Sequence, residues 1–399
     1  MRVLTLNCGS SSLKFDVFDV EDGAGDAVRV AQGIVDRRGD EAKASLSLGS
    51  NQLVRELPKS DYAAMFEAAA DLLNQAGLLA RIEAVGHRVV HGGSEFHSPT
   101  LIDDAVVNAI RSVSRLAPLH NQPALAAIEA ARVHFGDRLP MVATFDTAFY
   151  ADLPEVASTY ALPRELCMDL GIRRFGFHGL AHRYMVERYR SLRPGLSSPR
   201  LITLQLGNGC SATASLAGKA LDTSMGFTPL EGLIMGTRSG DIDPSLPLFL
   251  AEARKLSHAE VDELLNSRSG LLGLSGLSSD MRDLVEASTA GHERARLAVE
   301  AFCYRVQKYI GAYLSVLGGA DALIFGGGIG ENSAEVRQRV CQSLRWAGLS
   351  LDANANRNVV VETDTLISTA SGTMEAWVIH VDEAEVITRD VAECLASPA

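Results

Sequence analysis

No stretch of this chain approaches the ~20 consecutive apolar residues that a membrane-spanning helix requires. Cysteine is sparse and scattered: Cys8, Cys167, Cys210, Cys303, Cys341 and Cys394 form no CxxC pair and no metal-ligand spacing, so a zinc module and a disulfide scaffold are both excluded. Positive charge is also short, with 37 Lys and Arg against 49 Asp and Glu and a net charge of −12. No basic run interleaved with aromatics offsets that balance, which excludes a nucleic-acid partner. There is no low-complexity tract, and no GxxxxGK[ST] sequence that would mark a Walker-type phosphate loop. Met1-Arg2-Val3 runs directly into a strand pattern and leaves no room for a signal peptide. The expectation is a cytoplasmic protein with reduced thiols and no membrane partner.

What is present begins with one design used twice. Leu4-Thr5-Leu6 and Ile202-Thr203-Leu204 each read as a buried strand, and a glycine follows three residues later (Gly9, Gly207). Small polar residues come next: Ser10, Ser11 and Ser12 in the first copy, Asn208-Gly209-Cys210-Ser211 in the second. Both then return to strand. Such turns expose backbone N–H groups in a concave nest suited to phosphate oxygens. Two copies imply a duplicated fold gripping one nucleotide from both sides. At 399 residues the chain is long enough for two domains with separate cores.

Helical periodicity runs over 63–79, 105–116 and 293–317, and the last helix over 384–395. Ile82 to Val90 starts as a strand, Met141 to Phe145 and Ala322 to Phe325 are buried strands, and a domain boundary falls near residue 150. Gly326-Gly327-Gly328-Ile329-Gly330 reads as a turn between strand and helix, a shelf on which a flat ligand can lie against backbone. The helix that follows is expected to be capped by Asn332 or Ser333 and to run through Trp346 to Gly348. The run Asp222 to Pro244 has too many glycines, hydroxyls and prolines for helix or central strand. It holds Arg238 in a rigid loop, where a guanidinium can make bidentate contact with a carboxylate or phosphate.

These residues resemble the acetate kinase (acetokinase) family. The resemblance is carried by 6–14, Gly86-His87-Arg88-Val89-Val90-His91-Gly92-Gly93, 145–149, Gly176-Phe177-His178-Gly179, 206–209, 222–244, 269–273, Ser279-Asp280-Met281-Arg282 and 327–332, in the family's order along nearly the whole chain. It implies an α/β fold of two lobes, a duplicated ribonuclease-H-like fold of the sugar kinase/Hsp70/actin superfamily with the nucleotide in the cleft between them. The implied division is an N-terminal lobe over 1–150, with a C-terminal helix over 385–399 packing back on it, and a C-terminal lobe over 151–384.

The resemblance further implies roles. Asn7 and Glu383 match the metal site, for magnesium or alternatively manganese. Ser10, Ser12, Lys14, Gly207, Asn208 and Gly209 match nucleotide-phosphate contacts, while Asp280, Met281, Arg282, Gly328, Ile329, Gly330, Glu331 and Asn332 match the adenosine side. Arg88 and Arg238 match the arginines that hold substrate and transferring phosphoryl group. His178 matches the histidine that steadies that group, and Asp146 the catalytic aspartate. Val90, Leu119, Phe177 and Pro229 match the pocket for the substrate methyl. The implied reaction is reversible, direct in-line phosphoryl transfer from ATP to acetate, giving ADP and acetyl phosphate, by a homodimer.

The chain departs from the family's pattern in four places. Gln205 stands where histidine is common, Leu180-Ala181 where Thr-Ser is usual, and Gln122 where proline follows His120-Asn121. His380-Val381-Asp382-Glu383-Ala384 replaces Pro-Thr-Asn-Glu-Glu. Two rivals remain at this stage. One is a propionate or butyrate kinase of the same family, against which Val90 argues because it leaves less room for another methylene. The other is a non-catalytic ATP-binding switch, which has no need of Arg88, Asp146, His178 and Arg238 together.

Overall fold

The computed structural model describes residues 1–9, 11–21, 27–39, 41–58, 61–114, 117–136 and 139–396. Contacts divide the chain into two units, Met1–Ala151 with Asp382–Ala399, and Asp152–Val381.

In the first unit the strands are β1 (Arg2–Cys8), β2 (Ser12–Val20), β3 (Ala27–Arg38), β4 (Glu41–Leu48), β5 (Asn51–Leu57), β6 (Ala84–Val89), β7 (Thr100–Leu101) and β8 (Met141–Phe145). They form one sheet in the order β5-β4-β3-β2-β1-β6-β8-β7. β1 to β5 make an antiparallel meander, while β1, β6 and β8 run parallel. The parallel strands are apolar on both faces, since Val3, Leu4, Val85, Val142 and Ala143 are all buried. Helix Tyr62–Gln75, capped by the Asp61 side chain on the Ala64 N–H, packs on β4. Helix Glu383–Ala396 packs on β1, β6 and β8. Gly86 permits that contact: a Cβ there would stand 2.5 Å from Ile387 Cγ2 and 2.8 Å from Val391 Cγ2.

The second unit repeats the plan. β9 (Arg200–Leu206), β10 (Cys210–Leu216), β11 (Lys219–Thr223), β12 (Ala322–Gly326), β13 (Thr365–Leu366) and β14 (Glu375–Val378) lie in the order β11-β10-β9-β12-β14-β13. Three antiparallel strands lead into parallel neighbours β9, β12 and β14, as β3, β2 and β1 lead into β6 and β8. The duplication expected from the two hairpins is therefore present in strand order and direction. Helix Glu293–Leu317 buries the expected apolar stripe from Val299 through Phe302, Val306 and Ile310 to Tyr313, and leaves its last expected member, Leu317, half-buried. Gly318, at φ 65°, ends it.

Several boundaries differ from the sequence expectation. The first helix stops at Gln75 because Gly77 takes φ 68°, and Leu79–Arg81 form a separate 3-10 turn. The second runs Asp104–Val113, and residues 115 and 116 lie outside the described residues. The glycine turn after β12 is itself a short helix, Gly327–Asn332. The helix after it spans Ala334–Gln342 and stops well before Trp346. Gly348 closes a 3-10 turn instead, and its carbonyl accepts from the N–H groups of Thr373 and Met374, drawing the chain off the helical path. Ser333 supplies the cap, its hydroxyl accepting from the Val336 N–H.

His87 and His182 are 1% and 0% exposed. Among the described residues, neither ring nitrogen of His87 has a hydrogen-bond partner. Burial pulls both histidines down to about 3. Their folded-state pKa thus lies below the unfolded value of about 6.5, so the stability each contributes is complete above that value and lost as pH falls toward 3. One pH unit into that window costs about 1.4 kcal/mol per group. We expect the melting temperature to fall steadily as pH drops from about 7 to 5, and His87→Leu to flatten part of the slope without loss at neutral pH. An unchanged slope in the variant would show that His87 does not stay neutral in the fold.

Candidate active site

In each unit, several predicted residues lie at or just beyond the carboxyl ends of the parallel strands, where open α/β sheets present ligands. In the first unit Asn7 lies near the end of β1, Arg88 near the end of β6, and Asp146 directly after β8. Parallel register aligns Leu6 with His87 and Val89 with Phe145, bringing the three strand ends together. Arg88 makes a two-pronged contact with Asp146, Nε to Oδ1 at 3.1 Å and Nη2 to Oδ2 at 2.8 Å. Its Nη1 donates to Glu383 Oε2 at 2.9 Å and to Asn7 Oδ1 at 3.3 Å, and Asn7 Nδ2 donates to the same Glu383 oxygen at 2.9 Å. Asp146 is fully buried. Burial opposes the Arg88 charge, yet Asp146 and Glu383 more than reverse that and hold its pKa above the ordinary value.

Glu383 reaches Arg88 because it opens a helix whose N-terminus favours acidic side chains. Asp382 beside it accepts from the Glu385 N–H and takes two bonds from Arg29 Nη2, at 2.6 and 2.7 Å. The loop after β6 is pinned as well. Asn121 exchanges hydrogen bonds with the His91 backbone at 3.0 and 2.9 Å, and the Gly92 N–H donates to Thr147 Oγ1 at 3.0 Å. Val90 is buried at the head of that loop. Ser12 opens β2, and Lys14 is exposed on it, opposite Asn7 in register. Ser10 lies outside the described residues, as does the side chain of Leu119.

Among the described residues no group of three or more His, Cys, Asp or Glu is arranged to hold a metal ion. The donors at this edge do suit a hard divalent cation. The Asn7 amide oxygen and the Glu383 carboxylate both turn to one cationic nitrogen, and magnesium takes one or two carboxylates and completes its shell with water and phosphate.

In the second unit Gly207, Asn208 and Gly209 form the tight turn between β9 and β10, closed by the Gly207 N–H on the Gly209 carbonyl at 3.0 Å. Gly327 follows β12 at φ 76°, and a Cβ there would stand 2.7 Å from the Leu206 carbonyl, so only glycine lets the two backbones meet. A pocket of about 750 Å³ is lined by Gly207, Asn208, Asp280, Met281, Arg282, Gly328, Ile329 and Asn332, with Glu286 and Glu335 also on its wall. Gly330 and Glu331 stand apart from that lining. Glu331 turns inward, accepting from the N–H groups of Gly327 at 2.8 Å and Val381 at 3.2 Å and meeting His380 Nδ1 at 2.8 Å.

Arg238 is partly buried in its loop, donates from Nη1 to the Pro229 carbonyl at 2.8 Å, and has its pKa lowered by burial. His178, at φ 58°, begins a helix in the left-handed region, a conformation that costs energy for a side chain this size. His178 and Arg238 both abut the turn, because a Cβ on Gly209 would lie 3.2 Å from His178 Nε2 and 3.3 Å from Arg238 Nη2. Phe177 and Pro229 are buried nearby in sequence.

Sequence reasoning missed the residues that rigidify this loop. Arg174 donates to the carbonyls of Thr223, Ser224 and Met225 and to Glu231 Oε1 at 2.6 Å, and Glu231 also bonds the Tyr160 hydroxyl. Tyr309 and Arg305 hold Asp241 and the Gly232 carbonyl. Arg337, 1% exposed, caps the glycine helix by donating to the carbonyls of Gly330 at 2.8 Å and Glu331 at 2.7 Å. No spacing or periodicity marks such arginines, since their partners are backbone carbonyls, distant in the chain for Arg174 and Arg305 and six or seven residues back for Arg337.

A family model described as the acetokinase family matches residues 2–389. The chain is 45% identical to the acetate kinase of Chloroherpeton thalassium over 99% of each chain, and 47% identical to that of Deinococcus deserti over 100% of this chain and 98% of that one. Among solved structures it is similar to Porphyromonas gingivalis acetate kinase, at a TM-score of 0.88 and 38% identity over 99% of both chains. It is also similar to a propionate kinase from Francisella tularensis, at a TM-score of 0.91 and 36% identity over 98% of this chain and 99% of that one.

Replacing Arg88 tests the ion network without assuming any reaction. Arg88→Ala leaves Asp146 and Glu383 uncompensated, which should cost about 3–5 kcal/mol and lower the melting temperature accordingly. Adding Asp146→Asn should restore part of the loss. A single variant as stable as the parent would mean that Asp146 does not depend on the guanidinium.

Proposed function

The chain belongs to the acetokinase family, and we propose that it catalyses reversible phosphoryl transfer between ATP and acetate, giving ADP and acetyl phosphate. Its fold is the duplicated ribonuclease-H-like fold that its solved relatives share. The observation that carries the site assignment is the buried Arg88 charge at the end of β6, together with a second guanidinium, Arg238, set beside a phosphate-type turn.

The chemistry explains why cations matter more than a base. A carboxylic acid with a pKa of roughly 4 to 5 is already ionised at neutral pH, so the nucleophile needs no proton removed. The obstacle is repulsion, about 4 kcal/mol for two like unit charges ~4 Å apart at an effective dielectric near 20. Arg88 orients the acetate carboxylate, with Asp146 fixing the guanidinium plane and Val90, Leu119, Phe177 and Pro229 receiving the methyl. Ser10, Ser12, Lys14 and the Gly207-Asn208-Gly209 turn receive the phosphates. Asp280, Met281, Arg282 and the segment Gly328 to Asn332 receive the adenosine. Arg238 and His178 meet the oxygens of the phosphoryl group as charge spreads over them in an in-line displacement. Asn7 and Glu383 would hold magnesium, or manganese, which supplies charge neutralisation at the phosphates when bound.

The propionate kinase among the similar structures favours a secondary substrate. One methylene is worth only about 1–3 kcal/mol, so propionate should react more slowly than acetate and still react.

Among the described residues no helix is long and apolar enough to cross a membrane. The six free cysteines support the cytoplasmic assignment. For the homodimer, helices Arg164–Leu170 and Leu246–Arg254 bury none of their residues and expose Met168, Leu248 and Phe249 at 72%, 73% and 62%.

Two experiments bear on these readings. Acetate-dependent ADP release, with acetyl phosphate trapped by hydroxylamine, should fall on the order of 10²–10³-fold in Arg238→Ala, while kcat/KM should rank acetate above propionate above butyrate. A butyrate preference, or an undiminished rate in the variant, would remove the assignment. In light scattering the parent should run as a dimer and Phe249→Asp or Met168→Asp should shift it toward monomer; a monomeric parent would end the homodimer reading.

A further inference from the structure

Behind His178 runs a line of short contacts that the reaction as described does not use. His178 Nδ1 lies 2.8 Å from Ser211 Oγ, Ser211 Oγ lies 2.7 Å from His182 Nε2, and His182 Nδ1 lies 2.6 Å from Thr203 Oγ1. Ser211, His182 and Thr203 are each 0% exposed. The fold aligns them simply: His182 follows His178 by one helical turn, and Thr203 and Ser211 share one face of the β9–β10 pair.

A chain of this kind has a polarity. Ser211 owns one hydroxyl proton, so it donates to one imidazole and accepts from the other. His182 stays neutral because burial pulls it to about 3, so it carries one ring proton, donating through one nitrogen and accepting through the other. Two arrangements remain. In one, Thr203 donates to His182 Nδ1, His182 Nε2–H donates to Ser211, and Ser211 donates to His178 Nδ1, which leaves the His178 proton on Nε2. In the other every donor is reversed, the His178 proton sits on Nδ1, and the last hydroxyl proton is left to the Thr213 carbonyl at 3.5 Å.

The surroundings of His178 within its unit favour the first. Arg238 flanks the same Gly209 that the Nε2 edge abuts, so a second positive charge on the imidazole is disfavoured. The other groups near this end are Cys210, whose thiol burial pushes up to about 12, and Gln205, an amide opposite Ser211 in the sheet register. A neutral His178 offers an N–H to a phosphoryl oxygen only with its proton on Nε2.

We propose that Thr203, His182 and Ser211 are positioning residues, a buried relay that fixes His178 as its Nε2–H tautomer so that a neutral imidazole donates to the transferring phosphoryl group. The proposal rests on the reading of His178 as that donor, and it extends the machinery to three residues that never touch substrate. Gln205 completes the arrangement by placing no competing charge beside Ser211.

Long-range nitrogen–proton NMR on the full chain labelled with ¹⁵N-histidine, at about pH 8, reads the tautomer directly. His178, assigned by its loss in His178→Ala, should show an unprotonated Nδ1 and a protonated Nε2. Thr203→Val removes the hydroxyl that donates to His182 Nδ1, so it should end the preference and leave both His178 tautomers populated. Its kcat at that pH should fall about 2–10-fold with KM unchanged, and recover as pH drops through the histidine range and the imidazolium supplies the missing proton. Thr203→Ser should retain the parent profile. A protonated Nδ1 in the parent overturns the proposal, even if the valine variant fails to fold. So does a valine variant with the parent's tautomer and pH profile, provided His178→Ala lowers kcat. If His178→Ala leaves kcat intact, the donor reading fails and takes the relay with it.

Discussion

A guanidinium enclosed by two carboxylates at the carboxyl ends of the parallel strands sets the terms for the rest of the first unit. Arg88 is too buried to stand without Asp146 and Glu383, and they are too buried to stand without it. That mutual dependence explains features that look unrelated in sequence. Gly86 clears space for the C-terminal helix, which carries Glu383 to the end of β1. Arg29 fixes Asp382, so the residue beside it arrives in one geometry. The backbone just beyond Arg88 is clamped by Asn121 and Thr147. A cation held this firmly is pre-oriented for a carboxylate, and orientation is what an already ionised nucleophile needs.

The second unit solves a different problem, that of keeping glycine-rich backbone rigid. Its arginines bind carbonyls as often as carboxylates. Arg174, Arg305 and Arg337 each collect the oxygens of a loop or short helix that lacks regular partners. Arg337 does so from full burial, and its pKa is pulled down to about 10. Glycine is a poor helix former, so Gly327–Asn332 owes its helical form to this capping and to the inward bonds of Glu331. The shelf is thereby held by side chains within a few residues of it, and the Arg238 loop by side chains remote in sequence.

What was legible in the sequence followed from local chemistry. The two hairpins announced themselves through a strand, a glycine at fixed distance and a return to strand, and the long helix 293–317 through its apolar stripe. The family was readable because its motifs are dense with glycine, histidine and arginine. Local pattern failed where tertiary contacts decide. Gly39 and Gly49, at φ 66° and 56°, mark the turns between β3, β4 and β5, but the place of these strands comes from pairing outward from β2, which local pattern does not show. The short glycine helix contradicts its own propensity, and the helix after it ends where Gly348 is pulled toward Thr373. The His178 to Thr203 line was invisible for the same reason, since its members come from a helix and two strands and meet only in the folded unit.

The central claim is that fixed guanidinium groups neutralise the approach of two anions. A crystal structure with ADP, magnesium, acetate and a planar phosphoryl mimic tests it most directly. The account predicts Arg88 and Arg238 both within about 3 Å of the mimic or the acetate carboxylate, with Asp146 still bonded to Arg88. Both guanidiniums turned away from the mimic, with neither touching it or the acetate, would contradict it.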